Sequence, residues 1–375
     1  MTNGKRRCLV LTSELNTCGG IQRYTRHLIR CLREIYGTDA VRSVSLLARS
    51  PRNGCATTPT LLDKMAFSFQ SLHEAIRWRP QAIVCNHIGL APVAIALKRM
   101  MKVPYVVLTH GDDVWRPVSR CQWEQAAMLV SVSQYTARFL CERRGVEVEK
   151  VWIIPAALDP ELIASPVTEE DVVARHRLAG KRVLLTVSRL DSQSRYKGHE
   201  QVFRALAKIR RHLPPCVYLV VGTGNDRTYL ERRAAEFGLG DIVVFTGAVE
   251  DNLLPAYYRA CDVFIMPSLT DCEKMVGEGF GIAYIEAAAF GRPAIAGRGG
   301  GATEAVLDGV TGLLVDPQSV DEIAQAILTL LTNDDLRQRL GEQARARAQR
   351  EFTFDRFRQQ VADLFTVLFA EGSGA

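Results

Sequence analysis

Short apolar runs alternate with longer segments of helical period along most of the chain. The runs Cys8–Thr12, 44–48, Ala82–Cys85 and 105–108 have the length and near-continuous apolarity of strands buried on both faces. Between the first two, Ile21, Tyr24, Leu28, Cys31, Leu32 and Ile35 fall on one stripe of a helix. Strand, glycine turn and helix in alternation predict an α/β architecture with a doubly wound parallel sheet. The alternation begins again at 181–188 and continues through 218–224, 242–249, 261–268 and 313–317, followed by helices over 320–331 and 334–350. Between the two series, 161–180 is polar and lacks strand character, and reads as an interdomain linker. Residues 50–60, rich in Pro, Gly, Asn and Thr, read as a loop. A closing helix over about 353–375 carries Phe357, Val361, Leu364, Phe365 and Leu368 on one stripe. The domains expected are therefore 1–160 and 181–352.

Composition agrees with two soluble cores. A chain of 375 residues exceeds what one core usually serves. With 23% charged and 47% hydrophobic residues, it has no apolar run near the ~18 residues of a membrane span. The basic start is followed by only four apolar residues, 8–11, before Glu14, so it reads as a first strand and not a signal peptide. Ten cysteines are scattered without a C-x-x-C pair and read as reduced thiols of a cytoplasmic protein. The net charge of +6 is uneven: residues 1–160 hold 22 Lys/Arg and 12 Asp/Glu, residues 161–375 hold 25 and 29. A basic first half suits an anionic partner (a phospholipid surface, a lipid-diphosphate acceptor or nucleic acid), and equally a solvated arginine-rich surface with no partner. The helix over 88–101, ending in Lys98, Arg99 and Lys102, has an apolar face that reads either as core or as a surface resting on a membrane.

The chemistry concentrates in 277–304, GEGFGIAYIEAAAFGRPAIAGRGGGATE. Gly279 and Gly281 flank Phe280 and let backbone amides approach a polar ligand, and the helix that follows offers its positive end. Glu278 and Glu286 are separated by seven residues, which puts them on one helix face if the helix starts early enough, both accepting hydroxyls of one elongated ligand. Further polar groups cluster where apolar runs end. Gly19-Gly20 precedes the first helix, and Thr109-His110-Gly111-Asp112-Asp113 follows the strand at 105–108. Arg189 and Lys197 follow the strand at 181–188, one a planar fork and the other a point charge, as a diphosphate clamp requires. The GTG at 222–224 lacks the third glycine and the distant acid of a dinucleotide fingerprint.

The stretch EGFGIAYIEAAAFGRPAIAG resembles the donor-site signature of family-4 retaining glycosyltransferases of the GT-B fold. VSRL with a later KGH resembles that family's diphosphate site, THG followed by an acid its cleft histidine, and VSQYT another of its segments. The resemblance implies two Rossmann-like domains facing across a cleft, the closing helix at about 353–375 packing back on the first, and transfer of a hexose from a nucleoside-diphosphate sugar to a lipid-linked or saccharide acceptor. It assigns Glu278 to the transferred sugar and Glu286 to the ribose. Backbone contacts fall to Gly279, Phe280, Gly281 and Ile282, the diphosphate to Arg189 and Lys197, and the base to the loop from Gly247 to Val249. It assigns His110, with Asp112 or Asp113, to sugar and acceptor, and the Gly19-Gly20 loop to the diphosphate side. GDP-mannose is the donor most in keeping with these variants, with a UDP-hexose or UDP-N-acetylhexosamine and a small acceptor as the alternative. Neither nucleic acid, cofactor nor metal is expected, since no D-x-D motif ends a strand. A peripheral position on the inner face of the cytoplasmic membrane fits the acceptor. One departure is IPAALDP at 154–160, where the family often has I-P-N-G-V-D. A GT-B epimerase, or a binding protein that has lost catalysis, would share the architecture.

Overall fold

The computed structural model describes residues 6–15, 19–47, 58–271 and 273–371, the side chains of Asp112 and Glu371 excepted. Cys18, Cys55, Cys272 and most of the 50–60 loop thus lie outside the described residues, as does any side-chain role of Asp112. The chain divides into two compact units, Met1–Ala157 with Phe354–Ala375, and Leu158–Thr353.

In the first unit, strands β1 (Cys8–Thr12), β2 (Val41–Ser45), β3 (Ala82–Cys85), β4 (Tyr105–Thr109), β5 (Met128–Ser131) and β6 (Val151–Ile153) form a parallel sheet in the order β2-β1-β3-β4-β5-β6. Helices of eight or more residues are α1 (Gly20–Tyr36), α2 (Leu61–Trp78), α3 (Ala91–Met101) and α4 (Gln134–Arg144) in this part of the chain. Phe67, Ala75 and Trp78 of α2 and Ala94, Ile95 and Leu97 of α3 pack with Leu9, Ile83, Tyr105 and Val107 in one core. The apolar face of α3 is therefore core. Strand β2 lies three residues earlier than the 44–48 run suggests. At a sheet edge only Val41 and Val44 are buried, so the register follows those two and not the most apolar stretch.

In the second unit, β7 (Arg182–Val187), β8 (Cys216–Val221), β9 (Val243–Gly247), β10 (Val263–Met266), β11 (Ala294–Gly297) and β12 (Gly312–Val315) are ordered β12-β11-β10-β7-β8-β9. The helices are α5 (His199–Ile209), α6 (Arg227–Glu236), α7 (Ile282–Ala289), α8 (Val320–Thr332) and α9 (Asp334–Glu351). Val202, Phe203 and Leu206 of α5 meet Ile323, Ile327 and Leu330 of α8 over the sheet. The segment read as a linker is built into this unit. Its helices Pro160–Ala164 and Glu170–His176 bury Leu162 and Val172, and Arg259 donates to the Ser165 and Val167 carbonyls. Buried positions one or two to a turn leave no run for sequence periodicity to register. The last helix, α10 (Phe354–Glu371), belongs to the first unit, where Phe357 meets Tyr24 edge-on at 5.1 Å and Phe369 meets Tyr36 at 5.8 Å.

Each sheet has one place where successive strands depart in opposite directions, β1/β3 in the first unit and β7/β10 in the second. The loops at the carboxyl ends of such strands form the crevice where open α/β sheets hold ligands.

Candidate active site

The β7/β10 crevice of the second unit is built from two loops. After β7, Ser188 and Arg189 lead into a 3-10 turn, Ser192–Lys197, that ends at Gly198 and starts α5. Gly198 has φ of 84°, and a Cβ there would lie 2.5 Å from the Pro267 carbonyl oxygen. Only glycine lets this turn approach the end of β10 so closely. The approach brings Lys197 Nζ to 2.7 Å from Glu278 Oε2, both side chains 12% exposed. Burial alone pulls the Lys197 ammonium's pKa down, but the charge of Glu278 and its hydrogen bond, with Tyr196, more than offset this, and the net shift is upward. Lys197 is thus a cation at neutral pH. Arg189 is exposed, close enough to oppose the Lys197 charge, and among the described residues its guanidinium has no hydrogen bond or ion pair.

His199, the first residue of α5, is buried and shares a 3.0 Å hydrogen bond with Ser188 Oγ. Burial, then the Lys197 charge, lower its pKa to about 4, so the imidazole is neutral and adds no third cation. Gly281, at φ 91°, turns the chain into α7. Among the described residues the amides of Phe280, Gly281, Ile282 and Ala283 have no hydrogen-bond partner, so four donors crowd the positive end of α7. Behind them the amide of Gly301, in the glycine run 299–301, donates to the Glu278 carbonyl at 2.9 Å. Phe280 turns its ring inward, edge-on to Phe352 at 5.5 Å, which leaves its backbone for any ligand.

The two glutamates do not share a helix face. Helix α7 begins at Ile282, so Glu278 lies in the loop, four residues before it, paired with Lys197. Glu286 is inside the helix, 2% exposed, and accepts from Tyr258 Oη at 2.7 Å. Gly247 ends edge strand β9 with φ of 82°, its carbonyl accepting from the Gly222 amide, and Val249 follows half-buried.

The first unit supplies its own cluster at the β1/β3 crevice. Asn86, past β3, accepts from the Ser13 amide at 3.0 Å, and its backbone carbonyl is 2.9 Å from His110 Nε2. A carbonyl only accepts, so Nε2 of His110 carries the proton. The ring also meets Tyr24 edge-on at 5.5 Å. Asp113 is buried, and its Oδ1 accepts from the His110 and Gly111 amides at 2.8 and 3.0 Å. Its work is to hold the His110 turn. Gly19 and Gly20 stand at the start of α1 in this unit.

Sequence reading missed Asn86 and Tyr258, which fix His110 and Glu286. Asn86 had a signal, a polar side chain directly after an apolar strand. Tyr258 had none, because its partner lies 28 residues away in sequence.

Two parallel six-stranded sheets, each with a polar crevice at its switch point, define the two Rossmann-like domains of the GT-B class. Residues 18–162 match the Glycosyltransferase Family 4 description and residues 168–347 that of Glycosyl transferases group 1. The GDP-mannose-dependent alpha-(1-6)-phosphatidylinositol monomannoside mannosyltransferase of Mycolicibacterium smegmatis is 31% identical over 307 residues, 80% of this chain and 78% of that protein. The 2-deoxystreptamine glucosyltransferase of Streptomyces kanamyceticus is 31% identical over 278 residues, 69% of this chain and 68% of that protein. In fold, the chain resembles Anabaena HepE in complex with UDP and glucose, with TM-score 0.77, 21% identity, and 96% and 100% of the two chains covered. The chain belongs to the family-4 glycosyltransferases of the GT-B fold.

Proposed function

We propose that the protein transfers a hexose, mannose from GDP-mannose, to a lipid-linked acceptor, with retention at the anomeric carbon and without a metal ion. The observation that carries the reading is the β7/β10 crevice, where the Lys197 cation paired with Glu278, the exposed Arg189 and the four unpartnered amides from Phe280 to Ala283 at the start of α7 lie on its loops. A departing nucleoside diphosphate gains negative charge as the C1–O bond to phosphate breaks, and fixed cations and amides stabilise that charge without reorganising. The acceptor oxygen bonds to C1 on the face that the phosphate leaves. The acceptor's proton passes to the leaving phosphate oxygen. Glu278 orients the sugar hydroxyls, and Glu286, held by Tyr258, receives those of the ribose. His110, its Nε2 proton committed to the Asn86 carbonyl, serves sugar and acceptor in the first unit.

Mannose and a lipid acceptor are favoured by the 31% identity to a mannosyltransferase named for a phosphatidylinositol mannoside. An equal identity to a 2-deoxystreptamine glucosyltransferase supports the second reading, a UDP-hexose and a small polyol acceptor. A thermal-shift panel of GDP, UDP and ADP separates them, because ligand binding stabilises by RT ln(1 + [L]/Kd). GDP alone raising Tm agrees with the first reading, and UDP alone with the second.

A further inference from the structure

Helix α2 has two apolar faces, and the fold uses one. Phe67, Ser71, Ala75 and Trp78 are buried against the sheet and α3. On the other side of the 3.6-residue period, Leu61, Leu62, Met65, Phe69 and Ile76 share an arc of roughly 100°. They are exposed by 74, 76, 61, 73 and 54%. Isolated exposed apolar residues need no explanation, but five on one stripe of one helix mark an interaction surface.

The charges around the stripe identify the partner. Lys64, His73 and Arg77 flank it, and Arg79 ends the helix; all four are exposed. Among the described residues the side chains of Lys64, Arg77 and Arg79 have no acidic partner. The two acids of α2 are already engaged, Asp63 in a capping box with Thr60 and Glu74 with Arg42 at 2.8 Å. The cations are thus left uncompensated beside an apolar stripe, the arrangement that suits an interface of acyl chains and anionic headgroups. A second copy of the chain is a poorer occupant, since a twofold contact through α2 would oppose like cations in halves that already carry 22 Lys/Arg against 12 Asp/Glu.

We infer that α2 is a docking surface for an anionic phospholipid bilayer, the stripe from Leu61 to Ile76 entering the headgroup region and Lys64, Arg77 and Arg79 meeting lipid phosphates. This deepens the proposed function, in that a lipid-linked acceptor puts the reaction at a bilayer. The vesicles that test it carry neither donor nor acceptor, so their failure to bind leaves the transferase reading standing.

The test is flotation of the full chain with vesicles of phosphatidylcholine and phosphatidylglycerol, against phosphatidylcholine alone. The protein is expected to float with the anionic vesicles at low salt and to be released as salt rises. The double variant Leu62→Ser, Phe69→Ser should lower partitioning by roughly tenfold or more. Lys64→Glu with Arg77→Glu, which leaves the stripe intact, should also abolish flotation. These side chains are exposed, and unchanged melting curves check that both variants fold. A wild-type protein that stays in solution, or variants that float as wild type does, would overturn the inference. So would a dimer in sedimentation equilibrium that the serine variant dissolves.

Discussion

The two glutamates of the donor loop are expected to fail in different ways when replaced. Glu286→Ala should weaken binding of free nucleoside diphosphate by about ten- to a hundredfold, the loss of hydrogen bonds to an ionised carboxylate worth roughly 1.5–3 kcal/mol. Glu278→Ala should leave that affinity within a few-fold and lower turnover instead, because in the proposed function Glu278 meets only the sugar being transferred. Calorimetric titration beside turnover rates decides it, and equal losses of affinity would refute the assignment. His199 makes a separate prediction. Its pKa in the folded protein is about 4, against 6.5 ordinarily, so the unfolded chain takes up the proton first as pH falls. Stability present above pH 6.5 is then lost progressively toward pH 4, by on the order of 3 kcal/mol. Denaturant unfolding of wild type and His199→Gln across this range should show the wild type's slope and a flatter one in the variant. At this scale, motif and chemistry pointed to Arg189, Lys197 and Glu278, and the structure brings the last two into contact. The Lys197–Glu278 bridge was not legible, since it spans 81 residues and depends on how two loops meet.

Elements were most legible where burial is complete. Strands β1 and β3 lie where their apolar runs predict, because strands buried on both faces leave no polar alternation to mislead. Edge strand β2 and the helices within 161–180 were misplaced or missed, since one-sided or short burial dilutes the pattern. Helix α7 begins later than a shared face for Glu278 and Glu286 requires, and Gly281 with its positive φ sets that start. The turn before α5 has a comparable pivot in Gly198. Gly198→Ala would force a left-handed φ on alanine and press a Cβ against the Pro267 carbonyl. A cost of about 1–3 kcal/mol in stability is expected, together with weaker nucleotide binding as Lys197 is moved out of the crevice. Unfolding with full nucleotide affinity retained would show that the turn does not position the lysine.

For the whole molecule, two units of one architecture were legible from the two series of strand-and-helix alternation. Their boundary at 157/158 follows from packing that periodicity does not encode, and the place of α10 in the first unit is what the GT-B resemblance, not periodicity, implies. Activity is expected to survive EDTA, because in the proposed function Lys197 and Arg189 offset the diphosphate charge and the amides at the start of α7 donate to it; loss on chelation with rescue by Mg²⁺ or Mn²⁺ would contradict this. Retaining mannosyl transfer is tested by incubating the protein with GDP-mannose and a lipid-linked acceptor in vesicles, then following GDP release and the anomeric configuration of the product. GDP is expected to be released only when acceptor is present, with an α-mannoside formed from the α-configured donor. Release of a free, epimerised sugar without acceptor, or no release of GDP with acceptor present, would contradict that assignment.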